Sequence, residues 1–189
     1  MHPRLAEIAD QLERTRRDLL AAVPARFAPS DLARRPAAGA WSIAEIFDHL
    51  AAVEASVARL IEKTLTRAGA AGLPRETSIE SVASCLDGTL VRDRSHPLPA
   101  PEIVLPRPGV SIAEARSSME TAREALRAAM ARADGYDLGT VSVQHPLLGP
   151  LTLYQWLVMV VHHEARHTEQ VAEVAATHVT GEHRAVASS

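Results

Sequence analysis

Apolar residues recur at three- and four-residue spacing along four stretches of the chain, and that period predicts four amphipathic α-helices. The first covers residues 3–22, with Leu5, Ile8, Leu12, Leu19 and Val23 on its inner side; Pro24 and Pro29 close it. The second covers residues 42–67. Ser42 and Glu45 spell an S-x-x-E capping box at its start, Trp41 and Ile46 hold the two staple positions, and Ile46, Leu50, Val53, Val57, Leu60 and Ile61 form its apolar stripe. The third, residues 111–133, opens on a second box (Ser111, Glu114) and carries Ile112, Ala115, Met119, Ala122, Leu126 and Met130 inward. The fourth, residues 152–177, opens on Thr152 and Gln155, with Leu151 and Trp156 as the staple pair.

The connections differ in kind. Residues 68–110 are long for a link inside a compact domain, which implies a functional role or a crossing from one end of a bundle to the other. A short helix is expected at 77–86; beyond it Pro97, Pro99, Pro101, Pro106 and Pro108 exclude regular structure. Residues 134–151, with Gly135, Gly139, Pro146, Gly149 and Pro150, read as a loop. There is no internal repeat and no series of strands. The expected fold is all-α: a four-helix bundle with a long crossover between helices 2 and 3, in one domain spanning 1–180, followed by a flexible tail at 181–189.

Composition narrows the function classes. The 189 residues suffice for one core, and 47% hydrophobic with 23% charged residues is ordinary for a globular chain. A net charge of −3 without a basic run disfavours nucleic acid as a partner. Lys63 is the only lysine, a bias without mechanistic content. The single cysteine, Cys85, excludes an intrachain disulfide and a cysteine-rich zinc site. The N-terminus lacks a secretory pattern and no apolar run is long enough to span a bilayer, so the expectation is a cytoplasmic protein with no membrane partner.

The candidate chemistry lies on the fourth helix. At about 100° per residue, Trp156, Val160, Val171 and Val174 share one stripe, with His167 inside it and His163 at its edge. His162 falls on the opposite face and is expected in solvent. Two imidazoles one turn apart on a buried face need partners, and a shared metal ion supplies them. His49, at the border of the second helix's stripe, is the best third ligand, although alone it reads as a hydrogen-bonded core residue. His2, His178 and His183 are expected in solvent, and His96 and His145, each before a proline, in loops; from its loop before the fourth helix His145 has the option of reaching the site. Gln170, three residues past His167, is placed to hydrogen-bond a ligand ring. Glu45, one turn before His49, is explained by its cap and stands behind Gln170 in that role. Asp48 points away from the stripe. Glu164 lies near the buried stripe, where it is a candidate base or the partner of an arginine such as Arg123. His163-Glu164-Ala165-Arg166-His167 also spells the H-E-x-x-H protease motif, but Gln170 and Glu173 stand where a metzincin needs glycine and histidine, and no suitable downstream glutamate or upstream strand completes a zincin.

Residues 36–50, ending Trp41-Ser42-Ile43-Ala44-Glu45-Ile46-Phe47-Asp48-His49-Leu50, resemble the W-S-x-x-E-x-x-x-H-L signature of the DinB/YfiT-like superfamily. The stretch from His145 to Trp156, followed by His163, His167 and Gln170, resembles that family's second signature. The resemblance covers essentially the whole chain. It implies an up-down-down-up bundle, often a homodimer, whose metal ligands would be His49, His163 and His167. Three neutral imidazoles leave a divalent ion its charge and an open position; zinc or nickel is the first choice, with iron or manganese also acceptable. The open position suits a water acidified to a pKa of about 7 or a low-molecular-weight thiol held as thiolate. By analogy with the superfamily, the expected activity on a small-molecule substrate is thiol-dependent S-transfer, then hydrolysis by metal-bound water. The non-catalytic alternative is a stress-related metal- or small-molecule-binding bundle.

Overall fold

A computed structural model describes residues 1–68, 72–95 and 99–186, with side chains through Thr180. Among these, six α-helices and one hairpin follow in the order α1 (Pro3–Ala21), α2 (Pro29–Ala33), α3 (Ile43–Ala68), α4 (Thr89–Arg92), α5 (Ile112–Arg132), β1 (Ser142–His145), β2 (Gly149–Thr152) and α6 (Leu153–Val186), with a 3-10 turn at Glu102–Val104. The four long helices are the four periodic segments of the sequence.

Side-chain links fix their directions. Glu54 meets Arg123 and Glu62 meets Arg132, so α3 and α5 ascend together. Arg4 lies over Tyr154 and Arg16 pairs with Glu164, so α1 and α6 are parallel. Trp41 reaches His167 while His49 reaches His163, so α3 runs against α6. The result is the up-down-down-up bundle, and only a crossover as long as residues 69–111 lets the successive long helices α3 and α5 run parallel.

The expected caps form. Ser42 N–H donates to Glu45 Oε2 at 2.9 Å and Glu45 N–H to Ser42 Oγ at 3.2 Å. Ser111 with Glu114 and Thr152 with Gln155 repeat the exchange. The core divides along the bundle. One cluster joins Leu12, Val57, Leu126 and Leu157; the other joins Leu19, Phe47, Ala122 and Val171. Along their helices the buried Glu54, Arg123 and Glu164 fall between residues of the two clusters.

Three expectations are corrected. No helix forms at 77–86, because side chains satisfy the backbone there: Ser78 N–H donates to Glu76 Oε1, Glu80 N–H to Ser78 Oγ and Ala83 N–H to Ser81 Oγ. The helical turn comes later, at α4. The segment read as a loop at 134–151 contains a hairpin, with Ser142 opposite Thr152 and His145 opposite Gly149. Its three-residue turn returns through Gly149 at φ 79°, a conformation that favours glycine. Finally, α6 continues to Val186, beyond the expected end at 177. His96, Pro97 and the side chain of His183 lie outside the described residues.

Candidate metal centre

α3 and α6 cross so that His49, His163 and His167 each aim Nε2 at a common point. His163 Nε2 is 3.3 Å from that of His49 and 3.2 Å from that of His167, and all three donor atoms lie within 4.8 Å of one another. The opposite ring nitrogens fix the protonation. His49 Nδ1 is 2.7 Å from the Val104 carbonyl, which can only accept, so Nδ1 carries the hydrogen and Nε2 presents a lone pair. His167 Nδ1 donates likewise to Gln170 Oε1 at 2.7 Å. A hydrogen on His163 Nε2 could serve one of these lone pairs well, not both. A cation at the common point satisfies all three. A tetrahedral ion with bonds of about 2.0–2.1 Å holds its nitrogens roughly 3.3–3.4 Å apart, close to the two short separations seen. The donor set therefore fits a divalent metal.

The surroundings keep these rings neutral. Desolvation, then the neighbouring His167 and His49, hold His163 well below the usual imidazole range. Burial, then His49, pushes His167 down to about 3, and burial lowers His49 against the opposing pull of the Val104 carbonyl. Trp41 caps the cluster, its ring centroid 4.8 Å from that of His49 and 6.4 Å from that of His167. The staple residue thus also shields the site.

The cluster lies in the wall of a cavity of about 500 Å³ between α3, α6, the hairpin and the crossover. Val53, Val57, Leu148 and Met159 make much of it apolar. His145 enters from the hairpin. Its Nδ1 accepts from the N–H groups of Leu147 and Leu148, both at 3.1 Å, so the neutral ring carries its hydrogen on Nε2. Burial lowers its pKa, which favours that neutral form. His145 thus ends strand β1, not a plain loop, and reaches the cavity from before the fourth long helix.

Several other placements differ from expectation. Asp48 is buried, not turned to solvent: Arg107 from the crossover closes on it, with its N–H 2.8 Å from Oδ2 and Nη2 2.6 Å from Oδ1. Adjacent residues of α3 thus grip the crossover twice, Asp48 at Arg107 and His49 at Val104. His162 is half-buried under the crossover. Its ring sits so close to Gly88 that a Cβ there would approach within 2.5 Å, and Arg92 Nε donates to its Nδ1 at 3.3 Å. His178 is buried against the Arg34 carbonyl, and His2 is half-buried at the start of α1. Glu45 engages Ser42 and Arg35, away from the imidazoles. Glu164 takes the arginine option: it contacts Arg123, Arg16 and Thr15, outside the cavity lining. That placement removes the glutamate an H-E-x-x-H protease requires beside its metal. Burial raises the Cys85 thiol, so it is not poised as a thiolate.

Comparisons with known proteins agree with this architecture. A family model described as the DinB superfamily matches residues 11–171. The chain is 28% identical over 144 residues to the uncharacterized protein YuaE of Bacillus subtilis (strain 168), covering 76% of this chain and 82% of that one. The crystal structure of TT2238, a four-helix bundle protein, superposes with a TM-score of 0.58 at 22% identity, over 88% of this chain and 96% of the other, a likeness of fold. With most of its length matched and the bundle in place, the chain belongs to the DinB superfamily.

Proposed function

We propose that the protein is an enzyme that uses a divalent metal ion, zinc or nickel, held by His49, His163 and His167 to transform a small molecule in the adjoining cavity, by transfer to a low-molecular-weight thiol. The observation that carries this reading is that three Nε2 atoms converge in the wall of a cavity and not in a sealed core. An ion bound there would supply the positive charge that makes a thiol a thiolate or acidifies a water.

The protein's own groups supply position and protons. Val104 and Gln170 hold the rings of His49 and His167 in the tautomer that presents Nε2. Trp41 excludes water from one side. The Nε2–H of His145, pre-oriented by the hairpin, offers a donor toward negative charge developing on a substrate. The described residues lining the cavity offer no carboxylate to direct a water, which supports thiol transfer ahead of hydrolysis. A homodimeric assembly belongs to the same proposal and is read by light scattering after size exclusion.

The test is turnover of electrophilic aryl halides with small cysteine-based thiols, using metal-loaded and chelator-stripped protein. Thiol-dependent turnover that vanishes on stripping is expected. Thiol-independent ester cleavage would assign the site to hydrolysis instead. No turnover of either kind by metal-loaded protein would contradict catalysis and leave a binding role.

A further inference from the structure

Among the described residues, two charged side chains line the cavity, and both are arginines: Arg94, after α4, and Arg166, on α6. Arg94 Nη2 pairs with Glu173 at 2.5 Å, but its Nη1 is shielded from solvent and has no hydrogen-bond partner. Arg166 directs Nη1 to the carbonyls of Val91 and Asp93, contacts that hold the side chain without neutralising it. Its Nε and Nη2 make no hydrogen bond within the described structure. Both side chains line the same cavity as His49, His163 and His167. A buried unpaired donor is costly and calls for an acceptor. A guanidinium pair suits a carboxylate or phosphate, which it can grip through several N–H groups.

Another part of the lining has the opposite character. Leu90, Ile103 and Leu147 line the cavity yet are 66%, 77% and 52% exposed. Large apolar side chains that line a cavity and stay exposed are covered favourably by an apolar ligand body.

We infer that the cavity binds an amphipathic organic anion, whose carboxylate or phosphate is held by Arg94 and Arg166 while its apolar body lies against Leu90, Ile103 and Leu147. This rests on the proposed function only in naming the substrate class; the anion site itself needs no metal. Trp41 and Trp156, the only two tryptophans, both line the cavity and report on its occupancy.

Tryptophan fluorescence is titrated with octanoate, octyl phosphate, 1-octanol and acetate, using metal-loaded wild type, Arg94→Gln, Arg166→Gln and His163→Ala. The two octyl anions should bind at least about tenfold more tightly than octanol, and either arginine substitution should erase most of that advantage. Whichever octyl anion binds more tightly identifies the head group. Arg94→Gln keeps the experiment decisive if Arg166→Gln, which loses the grip on two carbonyls, does not fold. Equal binding of octanol, acetate binding as tightly as octanoate, or no saturable change with either octyl anion would overturn the inference. An anion preference that survives both arginine substitutions but disappears in His163→Ala would also overturn it, while supporting the metal. A preference that persists in His163→Ala and is lost in Arg94→Gln would uphold the anion site even if the metal reading failed.

Discussion

His163 and Glu164 are neighbours on α6, yet they enter two buried polar clusters built on opposite principles. Glu164 joins Arg16, Glu54 and Arg123, so that all four long helices contribute one charge each. Arg16 Nη2 is 2.7 Å from Glu54 Oε2, Arg16 Nε 2.5 Å from Glu164 Oε1, Arg123 Nη2 3.2 Å from Glu164 Oε2, and Arg123 Nε also contacts Glu54. Two guanidiniums balance two buried carboxylates, the more exposed Glu13 also pairs with Arg123 at 3.2 Å, and Thr15 and the Leu12 carbonyl make further bonds. Even so, burial pushes the Glu54 carboxyl up despite its arginine neighbours, a sign of what desolvation costs. That cluster is closed and specifies how the helices register. The histidine cluster is left incomplete: its lone pairs face one another and open on a cavity. A buried polar set that satisfies itself points to architecture, and one that needs an outside partner points to function.

The largest effect that would sharpen the contrast is in the closed cluster. Arg123→Met leaves two buried carboxylates short of a partner and should cost about 3–5 kcal/mol in urea unfolding. The metal content of the remaining folded protein should not change; a loss below 1 kcal/mol would dissolve the distinction. Gly88→Ala should cost about 1–3 kcal/mol because the added Cβ meets the His162 ring. Most of that cost should disappear in the Gly88→Ala/His162→Ala pair, and additive losses would show that the contact is not the cause. In the open cluster, Gln170→Ala should lower metal affinity by about 10–100-fold in competition with a chelator and leave unfolding nearly unchanged. Ser42→Ala should cost about 1 kcal/mol of stability without metal loss, since the cap fixes the start of α3 and not the ligand geometry. The smallest effect is alkaline. Burial, then the hydrogen bond to Glu76, raises the Tyr154 hydroxyl above its ordinary value of 10.0. A folded pKa above the unfolded one gives stability that is intact below pH 10.0 and lost as pH rises past it. Tyr154→Phe should therefore flatten the alkaline limb of the stability profile, and an unchanged limb would contradict that cause.

The bundle was legible because buried helical faces repeat every 3.6 residues, and capping boxes mark three of the helix starts. The same geometry separated His163 and His167 from His162. The resemblance around Trp41 implies His49 as a ligand more strongly than its border position on the wheel does. A wheel gives the face a residue occupies but not what later covers that face. Asp48 and His162 therefore looked exposed, although Arg107 closes over one and the Gly88 segment over the other. His178 was misplaced for the same reason, its cover being the Arg34 carbonyl. The Val104 carbonyl that orients His49 carried no signal, since every residue has a carbonyl. The hairpin that presents His145 carries little sequence signal, because strands of four residues, one of them containing Pro150, show too little alternation.

The central claim, that His49, His163 and His167 form a metal site to which His162 does not contribute, is tested most directly by elemental analysis. Wild-type protein and the four single His→Ala variants are reconstituted with zinc or nickel and dialysed. Wild type and His162→Ala should each retain about one ion per chain, while His49→Ala, His163→Ala and His167→Ala fall far below that. Retention by His163→Ala together with loss in His162→Ala, or a wild type that holds no ion, would contradict the account.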